Sequence, residues 1–128
     1  MQMRTVLADD DEPALKLLQR LLLGFDEVRV VGVAHDGQET VEQVELLRPD
    51  LLFLDIEMPK LTGFEVMQRL RHKPLVVVIT AYDRYWPMLL DSEALCFMGK
   101  PVDSEQIARV LDRIRNVIEA TGRIGQES

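Results

Sequence analysis

Short apolar runs alternate along the chain with stretches whose apolar residues recur at helical spacing. Five of these runs are continuous or rich in β-branched residues, which is typical of strands buried on both faces of a parallel sheet. They cover residues 5–8, 28–34, 51–54, 75–79 and 94–98. The pattern therefore predicts five strands, each followed by a segment with helical periodicity.

Helix boundaries are indicated by proline, glycine and acidic residues between the runs. Pro13 suits the first turn of a helix and Gly24 is a candidate for its C-terminal cap. Asp36-Gly37 predicts a turn before the second helix. The fourth helix, within residues 83–92, is expected to begin near Trp86. The final helix has the clearest apolar stripe. Its members are Ile107, Val110, Leu111, Ile114, Val117 and Ile118.

The alternation of strands and helices predicts the fold class. Such an alternation is typical of a parallel sheet whose strands are joined by right-handed helical crossovers. In this fold class, helices cover both faces of the sheet. With 128 residues the chain suits one compact domain. We therefore expect a single, doubly wound α/β domain with a parallel five-stranded sheet.

Composition and charge narrow the possible functions. The net charge of −7 argues against non-specific binding of nucleic acid or anionic lipid by this chain. Its apolar runs are far shorter than the ~20 residues of a membrane span, and no signal peptide pattern precedes residue 5. A single cysteine, Cys96, excludes an internal disulfide and suits a reducing cytoplasm. Two histidines and one cysteine provide no zinc-ligand spacing.

Polar residues follow the predicted strands at points that should meet at one edge of the sheet. An acidic run, Asp9-Asp10-Asp11, follows the first strand, and Asp55 follows the third. Thr80 and Lys100 follow the fourth and fifth strands. Several carboxylates in one cleft repel each other unless a cation lies among them, and hard oxygen ligands suit Mg²⁺. With a lysine and a hydroxyl nearby, this set suits stabilisation of a phosphoryl group on Asp55.

These motifs resemble the response-regulator receiver domains of bacterial two-component signalling. The resemblance covers about residues 3–120 and depends on five motifs in the family's order. They are Asp9-Asp10-Asp11, Asp55, Met58-Pro59 with Gly63, Thr80-Ala81 and Lys100-Pro101. Residues 80–83 and 95–103 are most similar to receivers of the LytR/AlgR branch. The resemblance implies a flavodoxin-like sheet with strand order 2-1-3-4-5, and a receiver domain over residues 1–120 with residues 121–128 as a flexible tail or the start of a linker.

The resemblance also implies roles for individual residues. Asp55 would accept a phosphoryl group, Lys100 would pair with it, and Thr80 would move toward it. Phe97 stands at the family's aromatic switch position. Mg²⁺ would be held by an acidic pair and by the backbone carbonyl of Glu57. Three aspartates stand where two are needed; the resemblance of residues 10–13 to the family's entry into the first helix favours Asp10 with Asp11, and the alternative is Asp9 with Asp10.

The implied function is a cytoplasmic signalling switch and not a conventional enzyme. A sensor histidine kinase or a phosphotransfer protein would be its partner, a homodimer would form on phosphorylation, and a domain outside this chain would control transcription. Two alternatives stay open. One is a stand-alone receiver that acts through protein contacts. The other is a haloacid-dehalogenase-like phosphatase that uses the acidic run, which would leave Asp55 without a role.

Three residues depart from the common receiver pattern. Thr62 stands where many relatives have an acid, and we expect it to change loop detail only. Pro87 falls within the family's fourth helix, so that helix is expected to be short or to begin late. Glu57 lies two residues after Asp55 and is expected to influence access of water to a phosphorylated aspartate.

Overall fold

The computed structural model describes residues 2–122. Strands and helices alternate through that part of the chain. The strands are β1 (Met3–Ala8), β2 (Val28–Ala34), β3 (Leu51–Asp55), β4 (Leu75–Thr80) and β5 (Cys96–Gly99). The helices are α1 (Glu12–Leu22), α2 (Gly37–Leu47), α3 (Gly63–Arg69), α4 (Trp86–Leu90) and α5 (Ser104–Thr121). A 3-10 turn at Asp83–Tyr85 precedes α4.

The strands form one parallel sheet in the order β2-β1-β3-β4-β5. This order confirms the predicted doubly wound, flavodoxin-like architecture. All five residues of β3 and all six of β4 are buried, which explains why their sequences are continuous apolar runs. Among residues 2–122, no helix combines the length and the apolar character needed to cross a bilayer.

Two apolar cores lie on opposite faces of the sheet. Along β3, Leu51 and Phe53 belong to the core that includes α1 and α5, while Leu52 and Leu54 belong to the core that includes α2, α3 and α4. This division follows from the alternation of side chains along a strand. The stripe predicted for the last helix is confirmed by its fully buried members, Ile107, Leu111 and Ile114.

Side-chain caps begin three of the helices. Asp36 Oδ1 accepts a hydrogen bond from the Glu39 N–H of α2 (2.7 Å), and Asp103 Oδ1 accepts one from the Gln106 N–H of α5 (2.8 Å). Thr62 and Glu65 form a reciprocal capping box at α3. The departure at Thr62 therefore has a definite structural role, because this residue starts the helix that follows the Asp55 strand.

The first helix ends differently from the prediction. Gly24 was expected to cap it, but α1 ends at Leu22 and its C-cap is Leu23 in a right-handed conformation. The Gly24 N–H still bonds to the Leu21 carbonyl, at 3.1 Å. Because the last carbonyls are satisfied by this tightened final turn, the helix ends without a left-handed glycine.

The fourth helix is short, as Pro87 indicated. It contains only five residues, Trp86–Leu90, of which Leu89 alone is buried. Trp86, Met88 and Leu90 are exposed, the last with 76% of its surface accessible. One buried side chain anchors the helix weakly, since helical stability in proteins comes mainly from packing.

The last helix extends one residue beyond the predicted end of the domain at residue 120. Thr121, which was expected in the tail, is the final residue of α5, and Gly122 caps it with a φ of 62°. Glycine suits this position because the left-handed conformation costs it little. The rest of the predicted tail, residues 123–128, lies outside the described residues.

Gly63 is predicted to be essential for packing α3 against the end of β3. A Cβ at this position would lie 2.7 Å from the Asp55 carbonyl oxygen, whereas one at Gly99 would meet nothing within 4 Å. We expect Gly63→Ala to lower the free energy of unfolding by about 1–3 kcal/mol through overpacking, and Gly99→Ala to change it by less than about 0.5 kcal/mol. Urea unfolding measures both, and equal effects of the two substitutions would contradict the packing argument.

Candidate functional site at the carboxyl edge of the sheet

Strand register brings the predicted site residues to the same edge. Ala8 pairs with Leu54, so Asp9, just after β1, and Asp55, the last residue of β3, follow at adjacent positions. Thr80, the last residue of β4, pairs with Gly99, the residue before Lys100. The Lys100 N–H also bonds to the Thr80 carbonyl, at 3.0 Å. These pairings carry two carboxylates, a hydroxyl and an ammonium group to one end of the molecule.

Three aspartates form a cluster at this edge. Carboxylate oxygens of Asp9, Asp10 and Asp55 all lie within 4.8 Å of one another. Asp9 and Asp55 are buried, while Asp10 is exposed. Oxygen ligands of this kind, open to solvent on one side, fit Mg²⁺, which keeps part of its coordination for water or phosphate. The cluster therefore has the donor chemistry expected of a magnesium site.

Asp11 lies outside this cluster as the residue at which the chain enters α1. It is the N-cap of that helix and its exposed side chain makes no capping hydrogen bond. Its backbone N–H donates to Asp9 Oδ1, at 2.9 Å, and so orients the Asp9 carboxylate. The geometry thus favours the alternative pair, Asp9 with Asp10, over the pair Asp10 with Asp11.

Lys100 supplies the positive charge of the site. Its Nζ lies 2.8 Å from Asp9 Oδ2 and 3.6 Å from Asp55 Oδ2, with 18% of the side chain exposed. Burial opposes the charged form of this lysine, but the hydrogen bond to Asp9 and the charge of Asp55 outweigh that cost, and the pKa of Lys100 is raised. Lys100 is therefore a stable cation beside the Asp55 carboxylate.

Near neutral pH, the Asp55 carboxyl group is close to the midpoint of its titration. Burial is the main cause that raises its pKa, to about 7, and the neighbouring Asp9 carboxylate adds to the effect. Lys100 and the Glu57 backbone N–H act in the opposite direction. Since one cation faces three carboxylates, a divalent cation among them would stabilise the ionised, nucleophilic form of Asp55.

Thr80 and Phe97 lie on the neighbouring strands β4 and β5 and are not part of the aspartate cluster. Thr80 is buried, and its Oγ1 accepts a hydrogen bond from the Tyr82 N–H at 3.1 Å. Phe97 is half-buried in β5, with its ring centroid 5.7 Å from that of Trp86. Phe97 thus connects β5 to α4, the weakly anchored helix.

Two contacts at Glu57 could not be foreseen from the sequence. Arg84 Nη2 lies 2.6 Å from Glu57 Oε2, and the Tyr85 hydroxyl donates to the same oxygen. Both partners come from the segment between β4 and α4, for which the apolar pattern gave the least information. Sequence offered only a weak signal, namely an arginine among aromatic residues shortly after Thr80.

The arrangement defines a receiver domain, and comparison with known proteins agrees. Residues 5–112 match the response regulator receiver domain family, and the chain belongs to that family. Receiver domains of response regulators are signalling domains, not conventional enzymes, and they interact with histidine kinases or phosphotransfer proteins.

Individual relatives support the same conclusion. The chain is 38% identical over 113 residues to the transcriptional regulatory protein BtsR of Salmonella typhi, covering 86% of this chain and 47% of BtsR. It therefore spans about half the length of this curated relative.

Solved structures are similar over nearly the whole chain. The receiver domain of AraT from Geobacillus stearothermophilus has a TM-score of 0.84 at 25% identity, covering 94% of this chain and 98% of that one. The CheX–CheY–BeF3–Mg²⁺ complex from Borrelia burgdorferi has a TM-score of 0.74 at 26% identity, covering 90% and 88% of the two chains.

The raised pKa predicts a distinctive pH dependence of stability in metal-free protein. Folded Asp55 holds its proton up to about pH 7, while the unfolded carboxyl has its ordinary pKa of 3.8. The folded state therefore binds more protons between these values, and the contribution of Asp55 to the free energy of unfolding falls as pH rises through that window.

Asp55→Asn removes this titration, so we expect the variant to exceed wild type by about 1–3 kcal/mol above pH 7 and by progressively less toward pH 4. Urea unfolding in EDTA at several pH values measures the difference between the two proteins. A difference that stays constant across this pH range would contradict the prediction.

Proposed function

We propose that this domain is a phosphorylation-controlled switch in two-component signalling, with Asp55 as the phosphoacceptor. One observation carries the proposal: Lys100 Nζ lies 2.8 Å from Asp9 and 3.6 Å from Asp55 within the three-aspartate cluster. A nucleophile, a fixed cation and additional oxygen ligands are the components that phosphoryl transfer to a carboxylate requires.

In the proposed step, an Asp55 carboxylate oxygen attacks the phosphorus of a phosphohistidine in a sensor histidine kinase or phosphotransfer protein. The new O–P bond forms as the P–N bond breaks, and the released imidazole nitrogen keeps the electron pair and takes up a proton. Lys100 pairs with the transferred phosphoryl oxygens. Thr80 contributes a hydroxyl hydrogen, which is available because its oxygen serves as the acceptor for the Tyr82 N–H.

Mg²⁺ is the cofactor we assign to the site, held by Asp9, Asp10 and the backbone carbonyl of Glu57. It would neutralise charge on the group being transferred, in addition to Lys100. The aspartate cluster supports this assignment, and the structurally similar CheX–CheY complex from Borrelia burgdorferi contains BeF3 and Mg²⁺.

A phosphoryl group on Asp55 would bias a two-state surface through Thr80, Phe97 and α4. A change from about 1% to 99% of the active state requires roughly 5.5 kcal/mol of differential stabilisation, and simultaneous contacts with a metal, a lysine and a hydroxyl are of that order. A groove of about 400 Å³ between α4, β5 and α5, lined in part by Trp86, Phe97 and Arg113, is the surface that would change.

The relatives support a proposal for the output of the domain. The matched relative BtsR is a transcriptional regulatory protein about twice the length of the matched region, so we propose that a domain outside this chain controls transcription. Residues 80–83 and 95–103 support placement in the LytR/AlgR branch. A cytoplasmic location and a homodimer on phosphorylation complete the proposal; a stand-alone receiver acting through protein contacts is the alternative.

Phosphorylation of Asp55 is the primary test. Incubation with Mg²⁺ and a small acyl phosphate is expected to add one phosphoryl mass to the wild type and to change Trp86 fluorescence, because Trp86 packs on Phe97. Asp55→Asn should abolish both signals. Steady release of phosphate from simple esters, dependent on Asp9 and independent of Asp55, would support a phosphatase instead.

Magnesium binding tests which acidic residues form the metal site. Because Asp10 belongs to the aspartate cluster and Asp11 does not, we expect Asp10→Asn to weaken Mg²⁺ binding by about tenfold or more and Asp11→Asn by less than about threefold. Isothermal titration calorimetry measures both affinities. The reverse order of effects would restore the pair Asp10 with Asp11.

A further inference from the structure

The Glu57 side chain is held by two residues from a separate segment of the chain. Arg84 Nη2 lies 2.6 Å from Glu57 Oε2, and the Tyr85 hydroxyl donates to the same oxygen. Glu57 follows the end of β3, whereas its partners lie between β4 and α4. These contacts join the loop that follows Asp55 to the segment that leads into α4.

Aromatic rings fix the position of the arginine. The Arg84 guanidinium carbon lies 4.3 Å from the ring centroid of Tyr82 and 4.9 Å from that of Tyr85. Tyr85 in turn packs edge-on against Phe64 of α3, with 6.1 Å between the centroids. Stacking of this kind restricts a long, exposed side chain to one arrangement. We call this group the Glu57 clamp: Glu57, its partners Arg84 and Tyr85, and the rings of Tyr82 and Phe64 that pack against those partners.

The charge of Glu57 matters because of its place in the chain. It is two residues from Asp55, whose carboxylate already lies within 4.8 Å of those of Asp9 and Asp10. Lys100 is the cation within this group. A fourth carboxylate without a partner would attract a metal cation and repel an anionic phosphodonor. In the clamp, the Arg84 guanidinium offsets that charge.

We propose that Arg84 and Tyr85 are positioning residues for phosphoryl transfer: they hold the Glu57 carboxylate and offset its charge, so that it neither joins the aspartate cluster nor repels the donor. The inference rests on the proposed function, since it concerns uptake of a phosphoryl group by Asp55. In this proposal, the segment after β4 helps phosphoryl transfer to Asp55, in addition to changing its conformation once Asp55 is phosphorylated.

The proposal predicts effects of opposite sign on cation and anion. In Arg84→Met, the released carboxylate should slow phosphorylation by an acyl phosphate about two- to fivefold and strengthen Mg²⁺ binding by a similar factor, as expected for one extra charge near a solvated site. The slower phosphorylation and the tighter Mg²⁺ binding should both diminish as the salt concentration rises. A variant that merely disturbed the structure would weaken both activities.

The experiment compares Arg84→Met, Tyr85→Phe, Glu57→Gln and the double variant Arg84→Met/Glu57→Gln. Phosphorylation rates with a small acyl phosphate are followed by intact mass, and Mg²⁺ affinities are measured by calorimetry. Arg84→Lys should restore most of the wild-type rate because it restores the cation. Arg29→Met removes an equal charge from an exposed position near the amino end of β2 and serves as the control.

Suppression by Glu57→Gln decides the matter. We expect the double variant to match Glu57→Gln in rate and in Mg²⁺ affinity, because a neutral residue 57 needs no partner cation. The inference would be overturned if Arg84→Met lowered the rate equally in the wild-type and Glu57→Gln backgrounds, or in neither. Phosphorylation of the wild type in the same experiment would still support the proposed function. Absence of phosphorylation in the wild type would instead overturn the proposed function itself.

Discussion

The structure depends on the burial of Asp55 and Asp9 side by side at the end of the sheet. Two buried carboxylates would normally be unfavourable together, and here Lys100 compensates by contacting both, at 2.8 Å and 3.6 Å. The hydrogen bond from the Asp11 N–H orients Asp9. The arrangement holds excess negative charge in place, so it responds strongly to any cation or anion that enters the site.

The two loops that border this site differ in how firmly they are attached. After β3, the Gly63 N–H bonds to the Ile56 carbonyl at 2.8 Å, and the Gly37 N–H bonds to the Pro59 carbonyl at 3.1 Å. The Thr62 capping box then starts α3 at once. After β4, by contrast, every residue before Leu89 is exposed except Tyr85, which is half-buried. The Glu57 clamp joins the firmly attached loop after β3 to the more exposed loop after β4.

Much of this organisation could be predicted because it follows from local pattern. Uninterrupted apolar runs identified β3 and β4, and the shared direction of parallel strands brought Asp55, Thr80 and Lys100 to one edge. The choice between Asp9–Asp10 and Asp10–Asp11 depended on where α1 begins, and three successive aspartates carry no signal for that. The contacts of Arg84 and Tyr85 depend on how an irregular segment folds back over Glu57, so no periodicity in the sequence reports them.

The shortness of α4 has a consequence for how signalling proteins of this kind can diversify. Since Leu89 alone among its residues is buried, the outward positions Trp86, Met88 and Leu90 contribute little to the two cores. Substitutions there can alter the surface offered to other molecules at little cost in folding free energy. Recognition and chemistry are thereby assigned to separate residues, and a new interaction can arise without rebuilding the acceptor.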